Sequence, residues 1–328
     1  MSAPAQTASA PLPRSAIMPP MVTPLAPDGG ADAASTASLV RHFQQQSLDG
    51  ALVLGSSGEN ALLPLETKRA VLEAALEARD PETPFHVMAG ITAMGPADAV
   101  AQVQALSELR PDTLLVPAPV GFGFSPAELH TYFATVCDAT DVPVVAYEVP
   151  GRTHVTLGAA LLGRLADEGR IVGIKDSSGQ IGLVQDYTAL TAERPNLVLY
   201  TGMETSIDAV LLAGGDGAIP GLANVFPQFH LRLIALAREG RWEDVRRVQQ
   251  SINRLHDIYF ADVAGASFSA GFFAIVKDAL VQGGIIEHAT VSAPFTDCAP
   301  LVHDHVRRFL DLGAELSEAL PALDSVSA

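Results

Sequence analysis

Ile171-Val172-Gly173-Ile174-Lys175-Asp176 is apolar on both faces of an extended chain before it ends in charge. A strand with one face in water alternates polar and apolar residues. One covered on both sides does not, so this run predicts a parallel strand beneath helices. Val144-Val145-Ala146-Tyr147-Glu148, upstream, has the same character. Working outward, further β-like runs begin near Ile17, Ala51, Phe85, Thr113, Leu197 and Gly217. The eight runs are spaced by roughly 20–35 residues, as βα units require. Between them, Leu65 to Ala78 and Pro96 to Leu109 carry apolar residues at helical spacing. Ser125-Pro126-Ala127-Glu128 reads as an N-cap, a proline in the first turn and an early acid. Eight strands with eight crossovers predict an α/β fold, a (β/α)8 TIM barrel over residues 16–225. An open doubly wound sheet is the rival, but no Gly-x-Gly-x-x-Gly follows the first strand. Residues 226–312 read as a helical C-terminal extension without further strands. Residues 1–15, rich in Ala, Pro and Ser, are expected to be a disordered N-terminal tail, and residues 313–328 a C-terminal tail.

Composition narrows the function. Of 328 residues, 48 % are hydrophobic and 17 % charged, which excludes a disordered chain and allows a large core. No apolar run approaches the length of a membrane span. Lys and Arg total 20 against 37 Asp and Glu, a net charge of −17 that would repel a nucleic-acid backbone. Neither nucleic acid nor membrane is therefore expected as a partner. Two cysteines, Cys137 and Cys298, make no disulfide framework, and the start of the chain lacks the basic and apolar regions of a secretory signal. A cytoplasmic location is the simplest expectation.

In such a barrel the side chains at the C-terminal ends of the strands face the active site. Three features fall there. Lys175 closes an apolar strand, where desolvation favours the neutral amine that attacks a carbonyl to form a Schiff base. The plainer reading is an ion pair with Asp176. Tyr147 ends the fifth strand and could relay protons during imine formation, with Arg152 following in the loop to hold a carboxylate. A core tyrosine and a surface arginine are the plainer alternatives. Gly55-Ser56-Ser57-Gly58-Glu59 follows the second strand, where small residues let backbone N–H groups and two hydroxyls converge on an anion. It is not a phosphate-binding P-loop, since no Gly-Lys-Ser/Thr follows, and most Gly/Ser turns are only turns.

Taken together, Gly55-Ser56-Ser57-Gly58-Glu59, Tyr147-Glu148-Val149-Pro150-Gly151-Arg152-Thr153 and Gly173-Ile174-Lys175-Asp176 resemble the three motifs of the dihydrodipicolinate synthase / N-acetylneuraminate lyase family. Gly214-Gly215-Asp216-Gly217-Ala218-Ile219 is similar to that family's eighth-strand segment, and the likeness runs from about Ile17 to about Leu312. The resemblance implies pyruvate-dependent class I aldolase chemistry without metal or cofactor, usually in a homotetramer, with a homodimer as the smaller assembly. It implies that Lys175 is the Schiff-base lysine and Tyr147 the proton relay, with Ser57 beside it. It implies further that Ser56 and Ser57 hold the pyruvate carboxylate, that Ile219 lines the substrate site, and that Arg152 binds the aldehyde's carboxylate.

The chain also departs from the family. Val116-Pro117-Ala118-Pro119-Val120-Gly121-Phe122-Gly123-Phe124 has no hydroxyl where synthases and sialic acid lyases place a tyrosine, and Gly121 stands at that position. Glu148 replaces the usual Asn, and Ala264-Gly265-Ala266-Ser267-Phe268-Ser269 lacks a proline-rich stretch. The missing tyrosine favours an aldolase of 2-oxo-3-deoxy sugar acids or of 4-hydroxy-2-oxoglutarate. Arg152 favours the synthase proper, with pyruvate and aspartate semialdehyde. Gly121 and Glu148 would also suit a binding protein for 2-oxo acids without turnover. A barrel isomerase holding phosphate near Gly214 to Gly217 ranks last, because it gives Lys175 and Tyr147 no joint role. His303 and His305, close together near the C-terminus, lack the further ligands a zinc site needs.

Overall fold

The computed structural model describes residues 12–323. Eight strands run parallel: β1 Ala16–Ile17, β2 Gly50–Val53, β3 His86–Gly90, β4 Thr113–Pro117, β5 Val144–Glu148, β6 Gly173–Asp176, β7 Val198–Thr201 and β8 Gly217–Ala218. Their starts lie within two residues of the sequence reading. From β2 to β8 each pairs with the next in chain order, and β1 pairs with β8. The ring closes where the chain just past β1 meets β2, through a parallel bridge between Pro20 and Leu52. There Leu52 N–H donates to Pro19 C=O and Met21 N–H to Leu52 C=O, both at 2.9 Å.

Helices α1 Ala33–Gln45, α2 Leu65–Glu77, α3 Pro96–Ser107 and α4 Pro126–Cys137 cover the first half. The second half carries the short α5 Pro150–Thr153, then α6 Ala159–Asp167, α7 Ile181–Ala192, α8 Ile207–Leu212 and α9 Pro227–Arg238. At α4 the Ser125 hydroxyl accepts from Glu128 N–H, the Glu128 carboxylate accepts from Ser125 N–H, and Pro126 fills the first turn. Beyond the barrel come α10 Trp242–His256, α11 Phe268–Gln282 and α12 Ala299–Glu318.

Two apolar layers follow from the period-two geometry of the strands. The inner one packs Met18, Leu52, Met88, Leu115, Val145 and Tyr200 inside the barrel. The larger outer one lies between the strands and the helices.

Three boundaries differ from the sequence reading. Residues 12–15, expected to belong to the tail, close the bottom of the barrel. Leu12 is buried among the inner residues, and Tyr200 Oη donates to Pro13 C=O at 2.5 Å. Arg14 pairs with Asp216. An apolar plug there removes more surface from water than a free tail would. The rest of the expected tail lies outside the described residues. Helix α9, read as the start of the extension, is the barrel's eighth helix, and the extension proper begins at α10. Lastly, α12 continues to Glu318 rather than stopping at Leu312, with Gly313 set closely against the Phe226 ring.

Candidate active site

Lys175 lies near the end of β6 with 3 % of its surface accessible. Successive strand residues face opposite sides of the sheet, so Lys175 points into the barrel and Asp176 towards the helices. No ion pair joins them. Asp176 instead accepts from Ser178 N–H at 3.0 Å, and burial pushes its carboxyl up despite that bond. Among the described residues Lys175 makes no hydrogen bond or ion pair. Its Nζ lies 4.3 Å from the centroid of the Tyr147 ring, with which it is in register across β5 and β6.

Tyr147 is 7 % exposed. Burial alone would push its phenol up. The Lys175 charge opposes this, as do the Ser177 hydroxyl, the Arg152 charge and the Ser56 hydroxyl, and together they hold the phenol below its ordinary value. The hydroxyls that act on the Tyr147 phenol are those of Ser56 and Ser177. Ser57, the expected partner, lines the same cavity but is not among the groups acting on the phenol.

The Ser56–Ser57 turn is held from below. Asn60 Nδ2 donates to Leu54 C=O at 2.6 Å and to Gly90 C=O at 2.7 Å, while Thr23 Oγ1 donates to Gly58 C=O at 2.6 Å. Ser56 and Ser57 open a short 3-10 turn, so their amides have no acceptor within it. Ile219, just past β8, is 1 % exposed and forms a wall. Arg152, on α5, is exposed at the rim and has no ion-pair partner among the described residues. All six expected residues line one cavity of 530 Å³.

Several groups in or around it went unread in the sequence. Ser177 follows Lys175 by two residues. Gly202 leaves room for both, since a Cβ there would sit 2.1 Å from Ser177 Oγ and 3.2 Å from Lys175 Cε. Glu204 lies beyond the end of β7, the position that barrel geometry marks for function. Burial pushes its carboxyl up to about 7, against bonds from Leu222 N–H, Gly221 N–H and Tyr259 Oη and the charge of Lys175. The extension supplies a roof: Phe268, Ser269, Phe272 and Phe273 of α11 line the cavity. The unusual segment before α11 ends in Ser267, whose hydroxyl caps the helix by accepting from Ala270 N–H. Lys277, lower on α11, donates to Glu59 Oε1 and to Thr290 C=O, each at 2.5 Å, and Ser292 N–H donates to Glu59 Oε2. No sequence spacing announces that pair.

Two expected departures acquire structural explanations. Glu148 faces away from the cavity, where Oε2 accepts from Leu157 N–H at 2.8 Å and from Tyr187 Oη at 2.6 Å. It ties down the segment after Arg152 and touches no substrate space. Gly121 has φ +112°, a conformation that favours glycine, and no side chain enters from that position. His303 and His305 lie on α12 and bond Asp278 and Ile258 C=O. No group of three or more His, Cys, Asp or Glu suited to a metal occurs among the described residues.

The geometry agrees with what the chain resembles elsewhere. The model of the dihydrodipicolinate synthetase family matches residues 13–311. The chain belongs to this family. A 4-hydroxy-tetrahydrodipicolinate synthase of Alkalilimnicola ehrlichii is 30 % identical over 296 residues, covering 90 % of this chain and 97 % of that one. Among solved structures, the family member YagE, an E. coli K12 prophage protein in complex with pyruvate, superposes with a TM-score of 0.83. It is 26 % identical, over 91 % of this chain and 98 % of its own. A sialic acid aldolase of Ruminococcus gnavus gives 0.84 at 19 % identity over 93 % and 99 % of the two chains, and shares the barrel fold. No helix among the described residues is long and apolar enough to cross a membrane.

Proposed function

We propose that this chain is a Schiff-base-forming class I aldolase or lyase, joining pyruvate or a related 2-oxo acid to an aldehyde, or releasing it. The observation that carries the reading is an amine, Lys175, withdrawn from water with no counter-ion and set against the Tyr147 ring. A lysine confined in this way is a nucleophile in waiting rather than half of a structural ion pair.

The steps follow from the positions. The carboxylate of the 2-oxo acid meets the amides and hydroxyls of Ser56 and Ser57, which brings its ketone carbon over Lys175. The amine adds to that carbon, and Tyr147 passes protons to the departing water, its phenol readied by Ser56 and Ser177. The resulting iminium draws electrons from the methyl carbon, Tyr147 takes the proton released there, and the enamine attacks the aldehyde. Hydrolysis frees the amine, and cleavage is the same path reversed.

Arg152 stands at the rim, where an anionic group on the acceptor would arrive, as in 4-hydroxy-2-oxoglutarate cleavage or the synthase reaction. Gly121, with no hydroxyl at the tyrosine position, is the ground for a 2-oxo-3-deoxy sugar acid, whose aldehyde half carries hydroxyls and no carboxylate. Dihydrodipicolinate synthase proper is a second reading, supported by the similarity to the curated synthase. The reading without turnover loses one of its two grounds, because Glu148 lies outside the cavity. We propose a homotetramer or homodimer in the cytoplasm, to be checked by analytical ultracentrifugation. Incubation with pyruvate and borohydride, followed by peptide mass spectrometry, should place the reduced adduct on Lys175. An unmodified Lys175, or equal labelling of Lys175→Met protein, would overturn the reading.

A further inference from the structure

A second cavity, of 350 Å³, opens off the first and shares with it Ser56, Tyr147, Val149, Gly151, Arg152 and Phe273. This size falls within the range of small-ligand pockets. Its own walls are apolar: Leu54, Ile91, Leu115, Val120 and Phe295, with Leu62 at the edge. The polar groups nearby are mostly committed elsewhere. Glu59 is bonded by Lys277 and Ser292 N–H. The Thr153 hydroxyl is turned to Val149 C=O and Val155 C=O. Polar capacity is therefore concentrated at the shared wall, in Ser56, Tyr147 and the unpaired Arg152, with Thr92 the remaining hydroxyl-bearing residue.

The shared wall is also where the chemistry must turn. An enamine on Lys175 occupies the first cavity beside Tyr147, so an aldehyde carbonyl reaching its carbon sits at the junction and its substituent extends into the second cavity. A chain of hydroxyls placed there would surrender water for carbon walls and find few partners. A ring or branched alkyl group would gain from the same burial. We infer that the acceptor is an aldehyde with an aromatic or branched aliphatic substituent, carrying at most one polar or anionic group for Arg152, rather than a polyhydroxylated one. This inference rests on the Schiff-base reading and, within it, sets aside the 2-oxo-3-deoxy sugar acids, whose aldehyde half is polyhydroxylated.

The bond-forming step balances within that reading. The enamine electron pair becomes the new C–C bond to the aldehyde carbon. The carbonyl π pair becomes an alkoxide, which takes its proton from Tyr147. The water lost in forming the imine is regained in hydrolysis, leaving a 4-hydroxy-2-oxo acid with the apolar substituent.

The test uses the full chain with pyruvate and four acceptors: benzaldehyde, 3-methylbutanal, glyceraldehyde and aspartate semialdehyde. Adducts are followed by liquid chromatography and mass spectrometry, alongside borohydride trapping of pyruvate alone. The expected result is a kcat/KM for benzaldehyde or 3-methylbutanal at least about 10-fold above that for glyceraldehyde and aspartate semialdehyde. Val120→Asn, and independently Ile91→Thr, should shrink that ratio. Trapping at Lys175 together with equal or better use of the two polar aldehydes overturns the acceptor inference and leaves the Schiff-base reading standing. Absence of trapping removes both.

Discussion

In the proposed reaction two side chains decide the chemistry, and both owe their state to immediate neighbours. Lys175 and Tyr147 occupy matched positions on adjacent strands, and the phenol is held below its ordinary value because the charges of Lys175 and Arg152 and two hydroxyls outweigh its burial. Tyr147→Phe keeps the ring against Lys175 and removes the proton carrier. Turnover should fall by about 10²–10⁴-fold while borohydride trapping over long incubation persists, with far-UV circular dichroism confirming the fold. Undiminished turnover would take the relay away from Tyr147. These residues were legible in the chain because strand ends in a parallel barrel face one place, and a lysine or tyrosine closing an apolar run is conspicuous. The plainer alternative of a Lys175–Asp176 pair fails on geometry alone, since neighbours on a strand face opposite ways. Ser177 and Glu204 escaped notice for a different reason. A serine or an acid in a loop looks the same whether it meets water or a buried phenol.

At the scale of elements, the extension is part of the site's construction. Helix α11 roofs the cavity with its first two turns and, through Lys277, grips Glu59 at the end of the turn that carries Ser56 and Ser57. Both side chains of this pair are fully buried. Burial pulls the Lys277 ammonium down, and the charge and hydrogen bond of Glu59 push it back. Removing one partner strands the other charge in a dry interior. Lys277→Met should therefore cost about 3–5 kcal/mol in urea denaturation, with Glu59→Gln added to it restoring part of the loss. The pyruvate KM should rise in the single variant as the serine turn loosens. No loss of stability would mean that water reaches the pair. The sequence reading placed these helices but not their purpose, because the partners stand 218 residues apart and no periodicity links them. The errors at Leu12 and beyond Leu312 have a similar root. Short apolar or mixed segments declare themselves only through what they pack against.

For the molecule as a whole, the barrel and its order were readable from eight apolar runs, and the acidic balance was readable from composition. What composition conceals is which charges are buried. Burial brings His230 and His86 down to about 4, the former despite its bond to Phe226 C=O, the latter with Asp112 opposing and Arg79 assisting. For each, the unfolded chain binds the proton more tightly, so its stabilising contribution is complete above about 6.5 and is lost as pH falls through about 4. Glu204, raised to about 7, acts in the opposite sense: its contribution is complete below about 4.5 and disappears as pH rises through 7. Acidification from 6.5 to 4 therefore withdraws the contribution of the two histidines while restoring that of Glu204. His230→Asn should lose less stability than the parent chain on acidification from 6.5 to 4, by up to about 3 kcal/mol, measured by chemical denaturation at pH 4.5, 5.5 and 7.5. An unchanged loss would show that His230 is protonated without penalty.

The grip of Lys277 on Glu59 also orders events during synthesis. The ribosome delivers the serine turn early, the amine midway, and the clamp and roof only in the last stretch. A nascent chain therefore carries Lys175 before it has a chamber to shelter it. Any product ending ahead of α11 would keep most of a barrel and lack the roof over Lys175.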